Sequence, residues 1–186
     1  MKKFLTAVML IAFSFVLNAQ DDAMKAWMES IQPGPMHKMM AKMVGDWNTV
    51  MKMVDPMSGQ EMNSEGTAKF ELMLGGRYMK SVHNSNMMGM PFEGVGIDAY
   101  DNIAKEFVSI WIDNMGTGIM VLKGQYDEKT NLLNFTGEGL DPMSGQTVKY
   151  RSVSKWVNDD LTVFDMFITS GGQEMKMFTM EYKRKK

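Results

Sequence analysis

The feature that most constrains this chain is a succession of short β segments that follow one another, with no helix between them, from Asp46 to the C-terminus. Apolar and polar residues alternate within them, so that Trp47, Thr49 and Met51 share one face of the first. Turn residues such as Gly, Asn, Asp and Pro separate nearly all of the segments. The predicted strands lie at roughly 46–54, 63–74, 77–84, 92–100, 107–113, 118–126, 132–137, 147–157, 161–169 and 174–184.

About ten short strands joined by tight turns favour an antiparallel meander over βαβ crossovers. A flat meander leaves two edges exposed to aggregation, and closure into a barrel removes both. We therefore predict an all-β, up-and-down barrel of about ten antiparallel strands. A two-sheet sandwich is the alternative, although Greek-key connections need longer loops than most of these gaps offer.

Residues 1–19 predict a signal peptide. Lys2 and Lys3 precede an uncharged, mostly apolar run over residues 4–17, and Ala19 is the small residue at the expected cleavage point. The run is shorter than the ~20 residues of a spanning helix, so an uncleaved anchor is the less favoured alternative. The chain has no Cys, which excludes both lipid attachment through Cys and disulfides. We expect a periplasmic or secreted protein without a transmembrane anchor.

A short helix is expected to plug one end of the barrel. Residues 20–35 read as a helical and linker segment that is interrupted at Pro33-Gly34-Pro35, and the barrel domain covers residues 36–186. Gly45 ends the plug helix. An amphipathic stripe at i, i+3, i+4 and i+7 marks this helix and consists of Met36, Met39, Met40 and Met43.

Composition narrows the function. The formal net charge of −2 and the absence of a broad basic face argue against nucleic acid as a partner. Methionine is unusually frequent, at 24 of 186 residues. Its flexible side chain suits a pocket that accepts ligands of different shapes, and its thioether is also a soft ligand for copper(I).

His37 lies beside the methionine stripe and makes a copper(I) site conceivable, but it is expected to point off the stripe, whose simpler role is core packing.

Gly45-Asp46-Trp47 resembles the G-x-W signature that opens the first strand of lipocalin-like barrels (calycins). The resemblance implies that a plug helix precedes the Trp and that a basic residue from the last strand covers its ring. Arg184, on the Phe178, Met180 and Tyr182 face, matches that basic residue.

A wider resemblance covers nearly all of the chain after the signal peptide. It rests on the strings Gly75-Gly76-Arg77-Tyr78, Met87-Met88-Gly89-Met90-Pro91-Phe92-Glu93-Gly94, Gly96-Ile97-Asp98-Ala99-Tyr100-Asp101-Asn102 and Trp111-Ile112-Asp113-Asn114-Met115-Gly116-Thr117-Gly118. These strings are similar to the bacterial family named domain of unknown function 1579. The resemblance implies a single, often exported, barrel-like domain with no assigned activity.

The sequence lacks most of the known catalytic motifs. It has no Cys nucleophile, no G-x-S-x-G elbow, no phosphate-binding Gly loop and no His-rich metal spacing. No cofactor and no metal is predicted, and an enzyme remains only an alternative. Gly94 and Gly96 lie inside a strand, where glycine relieves crowding or bends the sheet. The loops 87–91 and 115–118 are expected either to cover the barrel mouth or to pack over its end.

The sequence favours an exported, non-enzymatic binding protein that holds a small apolar or amphipathic ligand inside the barrel. The alternatives are a copper(I)-binding protein and a cell-envelope interaction module with a filled core. Ligand pockets combine apolar walls with a few orienting polar groups, and Arg77 with Asp98 or Asp113 is one polar combination of this kind. The oligomeric state is left open. The predicted ligand-binding residues are Trp47, Met51, Arg77, Met79, His83, Met88, Met90, Asp98, Trp111, Asp113 and Met115.

Overall fold

A computed structural model describes residues 21–54, 59–87, 89–141 and 144–186. They form two units that divide between Gln32 and Pro33. In the first unit, residues 21–30 form a helix, α1. The predicted signal peptide lies outside the described residues. Within those ranges, no helix combines the length and the hydropathy that a membrane span requires.

The second unit starts with a short helix and continues almost entirely as strands. Its helix α2 spans Pro35–Met40 and leads into a 3-10 turn, η1, at Ala41–Met43. The strands are β1 (Gly45–Val54), β2 (Glu61–Met73), β3 (Tyr78–Met87), β4 (Met90–Asp101), β5 (Glu106–Asp113), β6 (Met120–Asp127), β7 (Leu132–Leu140), β8 (Thr147–Asn158), β9 (Leu161–Ser170) and β10 (Gln173–Arg184).

The ten strands close into one antiparallel barrel. Each strand pairs with its neighbours in sequence, and β10 pairs with β1 from Trp47↔Arg184 to Met53↔Phe178. The predicted up-and-down barrel is confirmed, and the sandwich alternative is wrong. The physical reason is that tight turns allow each strand to pair only with the next one, and ring closure satisfies the two strands that would otherwise be edges.

The ring is not uniform along its circumference. The register of β5 with β6 runs only from Phe107↔Gly124 to Trp111↔Met120, whereas β4 with β5 runs from Gly94↔Asp113 to Asp101↔Glu106. The connection at residues 114–119 follows directly on the short ladder. This pairing and that of β6 with β7 are the two shortest in the barrel, with five register pairs each.

The methionine stripe packs into the core at the α2 end. Met39, Met40 and Met43 are buried against Trp47, and Met36 packs against the same cluster while partly exposed. The helix is shorter than expected because the α-helical turns end at Met40 and tighten into η1.

His37 was expected to point off this stripe, and that expectation is wrong. Its side chain is buried, and the Gly34 N–H donates a hydrogen bond of 3.0 Å to its Nδ1. Its ring meets the Tyr100 ring edge-on at 5.9 Å between centroids. The residue lies in the first turn of a very short helix, where the chain entering the helix and β4 both approach it.

Trp47 and Arg184 lock the α2 end as the lipocalin-like resemblance implied. The Arg184 guanidinium carbon lies 4.1 Å from the centroid of the Trp47 ring, a cation–π contact. The guanidinium also donates hydrogen bonds to the carbonyls of Lys42, Val44 and Asp159 at 2.6, 2.7 and 3.0 Å. Trp47 donates its indole N–H to the Met43 carbonyl at 2.7 Å. The last strand, the first strand and η1 are thereby joined at one point.

Candidate functional site

The barrel interior changes character along its axis. Inward-facing side chains near α2, such as Trp47 and Phe107, are each only 1% exposed. We call the half farther from α2 the distal half. Several inward-facing side chains in the middle and in the distal half are partly exposed although they point to the axis, namely Met53, Phe92, Trp111, Met120, Phe164, Phe178 and Met180. Others in that half, such as Val148 and Tyr150 on β8, are buried.

A carboxyl group lies in the middle of this interior. Asp98 on β4 is paired in register with Ser109 on β5, and the Ser109 hydroxyl donates a hydrogen bond to it. Burial raises the pKa of Asp98 to about 6, against the smaller opposing effect of the Ser109 bond. The residue nevertheless keeps some accessible surface. Both observations fit a carboxyl that is removed from bulk water and faces an internal space.

Tyr182 approaches Asp98 from β10. Its ring meets the rings of Phe70 and His83 edge-on, each at 5.8 Å between centroids. Burial raises the pKa of the Tyr182 hydroxyl, and the negative charge of Asp98 raises it further. The hydroxyl therefore stays protonated and is available as a donor close to the carboxyl.

His83 completes the cluster as a neutral imidazole. It is 7% exposed, and burial alone lowers its pKa to about 4. Its ring meets the Trp111 ring at 5.0 Å in an edge-on arrangement. Among the described residues no hydrogen bond occupies its ring nitrogens. A neutral imidazole offers one donor and one acceptor, so His83 presents both within the barrel.

Trp111 is set against β4 by two glycines. A Cβ at Gly94 would overlap the Trp111 ring, and one at Gly96 would lie 2.5 Å from the Ser81 hydroxyl and 3.5 Å from that ring. The indole N–H donates to an Asp113 carboxylate oxygen at 2.8 Å. The two glycines thus relieve crowding, as expected for glycine inside a strand, and allow the indole to lie across the strand.

The interior is poor in positive charge. Strand alternation places two carboxyl groups inside, those of Asp98 and Asp113. Arg184 is the one inward-facing basic residue on the described strands, and it lies at the α2 end over Trp47. The middle and distal interior are therefore acidic, aromatic and methionine-rich.

The predicted ligand-binding residues fall into several groups. His83, Asp98, Trp111 and Asp113 lie along the interior. Trp47, Met51 and Met79 are buried core residues that face inward. Met90 and Met115 are about half exposed at the distal end, and Met88 lies outside the described residues.

Arg77 lies elsewhere. It occupies the turn between β2 and β3 at the α2 end, where its Nη1 donates to the Leu74 carbonyl at 3.1 Å. Burial lowers the pKa of His37, and the charge of Arg77 lowers it further. Asp113 ends β5 at the opposite end of the barrel. The structure does not bring these two side chains together.

The two methionine-bearing loops meet at the distal end. Asn114 donates its side-chain amide to the Pro91 carbonyl at 3.0 Å and accepts a hydrogen bond from the Glu93 N–H at 3.1 Å. The start of β4 and the connection after β5 are thus joined beside the barrel mouth.

Sequence reasoning missed Tyr182, Ser109 and Phe70 as members of the cluster. Strand alternation places each of them inward, which is a usable signal. Their convergence on Asp98 and His83 depends on strand tilt across the barrel, which alternation does not report.

Two shallow clefts lie outside this cluster. One lies at the α2 end beside Trp47 and Trp156 and is also lined by Lys42, Asn131 and Asp159. The other lies beside β6, where Glu106, Lys123 and Asn134 contribute to its lining. Both are lined largely by exposed polar side chains, so the interior cluster is the better candidate site.

The barrel with its plug and interior cluster defines a lipocalin-like class of protein. The chain belongs to the family described as protein of unknown function (DUF1579), which matches residues 32–184. Among solved structures, Rv2717c from M. tuberculosis has a TM-score of 0.60 at 11% identity, with 83% of this chain and 100% of that chain covered. That likeness concerns the fold. No curated protein matches the chain.

Proposed function

We propose that this protein binds a small apolar or amphipathic ligand inside the barrel and is not an enzyme. The observation that carries the proposal is the cluster of His83, Tyr182 and Asp98 in an interior that is otherwise apolar. Asp98 is hydrogen-bonded by Ser109, and its charge raises the pKa of the Tyr182 hydroxyl, whose ring meets that of His83. A few polar groups in an otherwise apolar interior are typical of a binding site.

The walls around the cluster support the proposal. Phe92, Met120, Phe164 and Met180 are partly exposed and line the interior, and each Å² of apolar surface that a ligand covers contributes about 25 cal/mol. Methionine side chains adapt to different ligand shapes. A ligand with an apolar body in the distal half and a polar end at Asp98 matches this arrangement.

Native mass spectrometry of the protein purified from its own host tests the proposal, together with displacement of a fluorescent apolar probe. Met120→Trp is expected to reduce probe binding at least about tenfold, equivalent to about 1.4 kcal/mol, because the indole fills space beside Trp111. Val121→Trp is the matched control, because the neighbouring residue faces outward and is 44% exposed. Absence of both a co-purified ligand and probe binding would refute the proposal.

Two alternatives have less support. For copper(I), the plug offers Met39, Met40 and Met43, which are buried in apolar packing, and His37, whose Nδ1 already accepts a hydrogen bond. An interaction module with a filled core is the less favoured hypothesis, because several side chains of the barrel interior are partly exposed. Copper(I) titration of the protein and of a variant with all four plug methionines changed to Leu separates the first alternative from the proposal.

We also propose that the protein is exported, on the strength of the basic, apolar and small-residue pattern in residues 1–19. Expression in a bacterial host with cell fractionation tests this. Recovery outside the cytoplasm with Gln20 as the first residue is the expected result, and cytoplasmic protein that starts at Met1 would contradict it.

A further inference from the structure

We propose that the interior selects ligands whose polar end is a protonated amine held at Asp98, and that it discriminates against ligands that end in a carboxylate. This inference rests on the proposed binding function and names the class of ligand.

The first argument is the charge inside the barrel. Within the described part of the chain, no cationic side chain contacts Asp98, since Ser109 is its hydrogen-bond partner and its register neighbour on β3 is Met79. His83 does not supply the missing charge, because its pKa of about 4 keeps it neutral at neutral pH. A carboxylate isolated from bulk water gains most from a cation that arrives with the ligand.

The second argument is the hydrogen-bonding capacity that remains. An ionised carboxylate has about four acceptor positions, and Ser109 donates to one of them. A primary ammonium carries three donors and no acceptor. It therefore matches the remaining acceptor positions on Asp98.

The third argument is the aromatic surround. Tyr182 contacts Phe70 and His83, and His83 contacts Trp111, all with edge-on geometry. Of these rings, Tyr182 is close enough to Asp98 for the carboxylate charge to raise the pKa of its hydroxyl, and an aromatic ring beside a bound cation stabilises it. An incoming carboxylate meets the opposite situation, because it is repelled by Asp98 and, nearer the mouth, by Asp113, with Arg184 held at the far end over Trp47.

Three probes with one common tail test the inference: decylamine, decanol and decanoate, each titrated at neutral pH into the full-length protein as it is isolated. Binding is followed by calorimetry and by Trp fluorescence. We expect decylamine to bind at least about tenfold more tightly than decanol, and decanoate to bind most weakly.

Asp98→Asn isolates the role of the carboxylate, and it is expected to remove the preference for decylamine while decanol still binds. The matched control is Glu138→Gln, which removes one charge from an exposed position on β7 and is expected to keep the preference. Thermal unfolding establishes that both variants fold. The wild-type ratio of decylamine to decanoate remains decisive should Asp98→Asn fail to fold.

The outcomes separate the two proposals. Binding of decanol with equal or tighter binding of decanoate than of decylamine overturns the inference and leaves the binding function standing. An unchanged amine preference in a folded Asp98→Asn variant also overturns it. Failure of all three probes overturns the inference and counts against the binding function as well.

Discussion

Asp98 and His83 both lie in the barrel interior, yet their protonation affects stability with opposite signs. The folded state raises the pKa of Asp98 to about 6 and lowers that of His83 to about 4. Between these values the folded protein holds a proton on Asp98 that the unfolded chain releases, and it lacks a proton on His83 that the unfolded chain binds. In wild-type protein the two contributions partly cancel.

Single substitutions are expected to separate these contributions. Since ionising Asp98 in the folded state is unfavourable, Asp98→Asn is expected to raise the free energy of unfolding at neutral pH by up to about 3 kcal/mol, the limit set by the size of the pKa shift. The gain is expected to vanish as the pH falls to about 4, where Asp98 is protonated in the folded state. Urea unfolding across this range measures it.

His83→Gln serves as the contrasting variant. It removes the group whose lowered pKa makes the folded protein lose stability as the pH falls from about 6.5 toward about 4. The variant is therefore expected to show a net decrease in stability as the pH rises through this range, owing to Asp98. Identical pH profiles for wild type and both variants would contradict the assignment of these shifts to the two side chains.

Gly94 is a second residue whose role is specific. Gly94→Ala places a Cβ inside the Trp111 ring, so the indole must move, and we expect a loss of about 1–3 kcal/mol in the free energy of unfolding with a shift in Trp fluorescence. Gly116→Ala is the control, because nothing lies within 4 Å of the corresponding Cβ position, and its effect should stay within about 0.5 kcal/mol. Equal effects of the two changes would refute the steric explanation.

At the scale of elements, the contacts that join β10 to β1 and η1 depend on the shape of the Arg184 side chain. Arg184 covers Trp47 and bonds three carbonyls at once, a geometry that a lysine ammonium does not reproduce. Arg184→Lys is expected to lower the free energy of unfolding by about 1–3 kcal/mol, measured by urea denaturation.

Arg151→Lys is the matched comparison. Arg151 also lies over an aromatic ring, that of Phe167, and pairs with Glu174, but on the outer face of the barrel where solvent weakens the pair. Its substitution should cost less than about 1 kcal/mol. A larger loss in the free energy of unfolding for Arg151→Lys than for Arg184→Lys would contradict the stabilising role of the Arg184 contacts.

Much of the element order was predictable, because alternation reports which residues face inward and turn residues mark where each strand ends. Strand ends were less predictable where glycine occurs. The seventh strand was expected to stop at Gly137, yet β7 continues to Leu140, because its last residues keep pairing with β8 up to Leu140↔Thr147. The approach of Tyr182 to Asp98 was beyond sequence reasoning, since it depends on tilt and closure.

At the scale of the whole molecule, closure leaves no edge among the ten strands, so the position where β1 meets β10 is not expected to be the weakest. The weakest position is expected at β6, whose ladders with β5 and with β7 are the two shortest, at five register pairs each. Hydrogen exchange of backbone amides tests this, and we expect the amides of β6 that face β5 to exchange at least about tenfold faster than those of β1 that face β10, a difference of about 1.4 kcal/mol in opening free energy. Faster exchange along β1 would contradict this expectation.

The difference between the two halves of the interior has a practical consequence. Met40, Trp47 and Phe107 are buried near α2, whereas Met120, Phe164 and Met180 are only partly buried where they pack against the core. On the proposed function, libraries randomised only at the latter three positions would alter which ligands bind while leaving the buried residues beside α2 unchanged. The barrel would then serve as a starting scaffold for engineered receptors and sensors of small molecules.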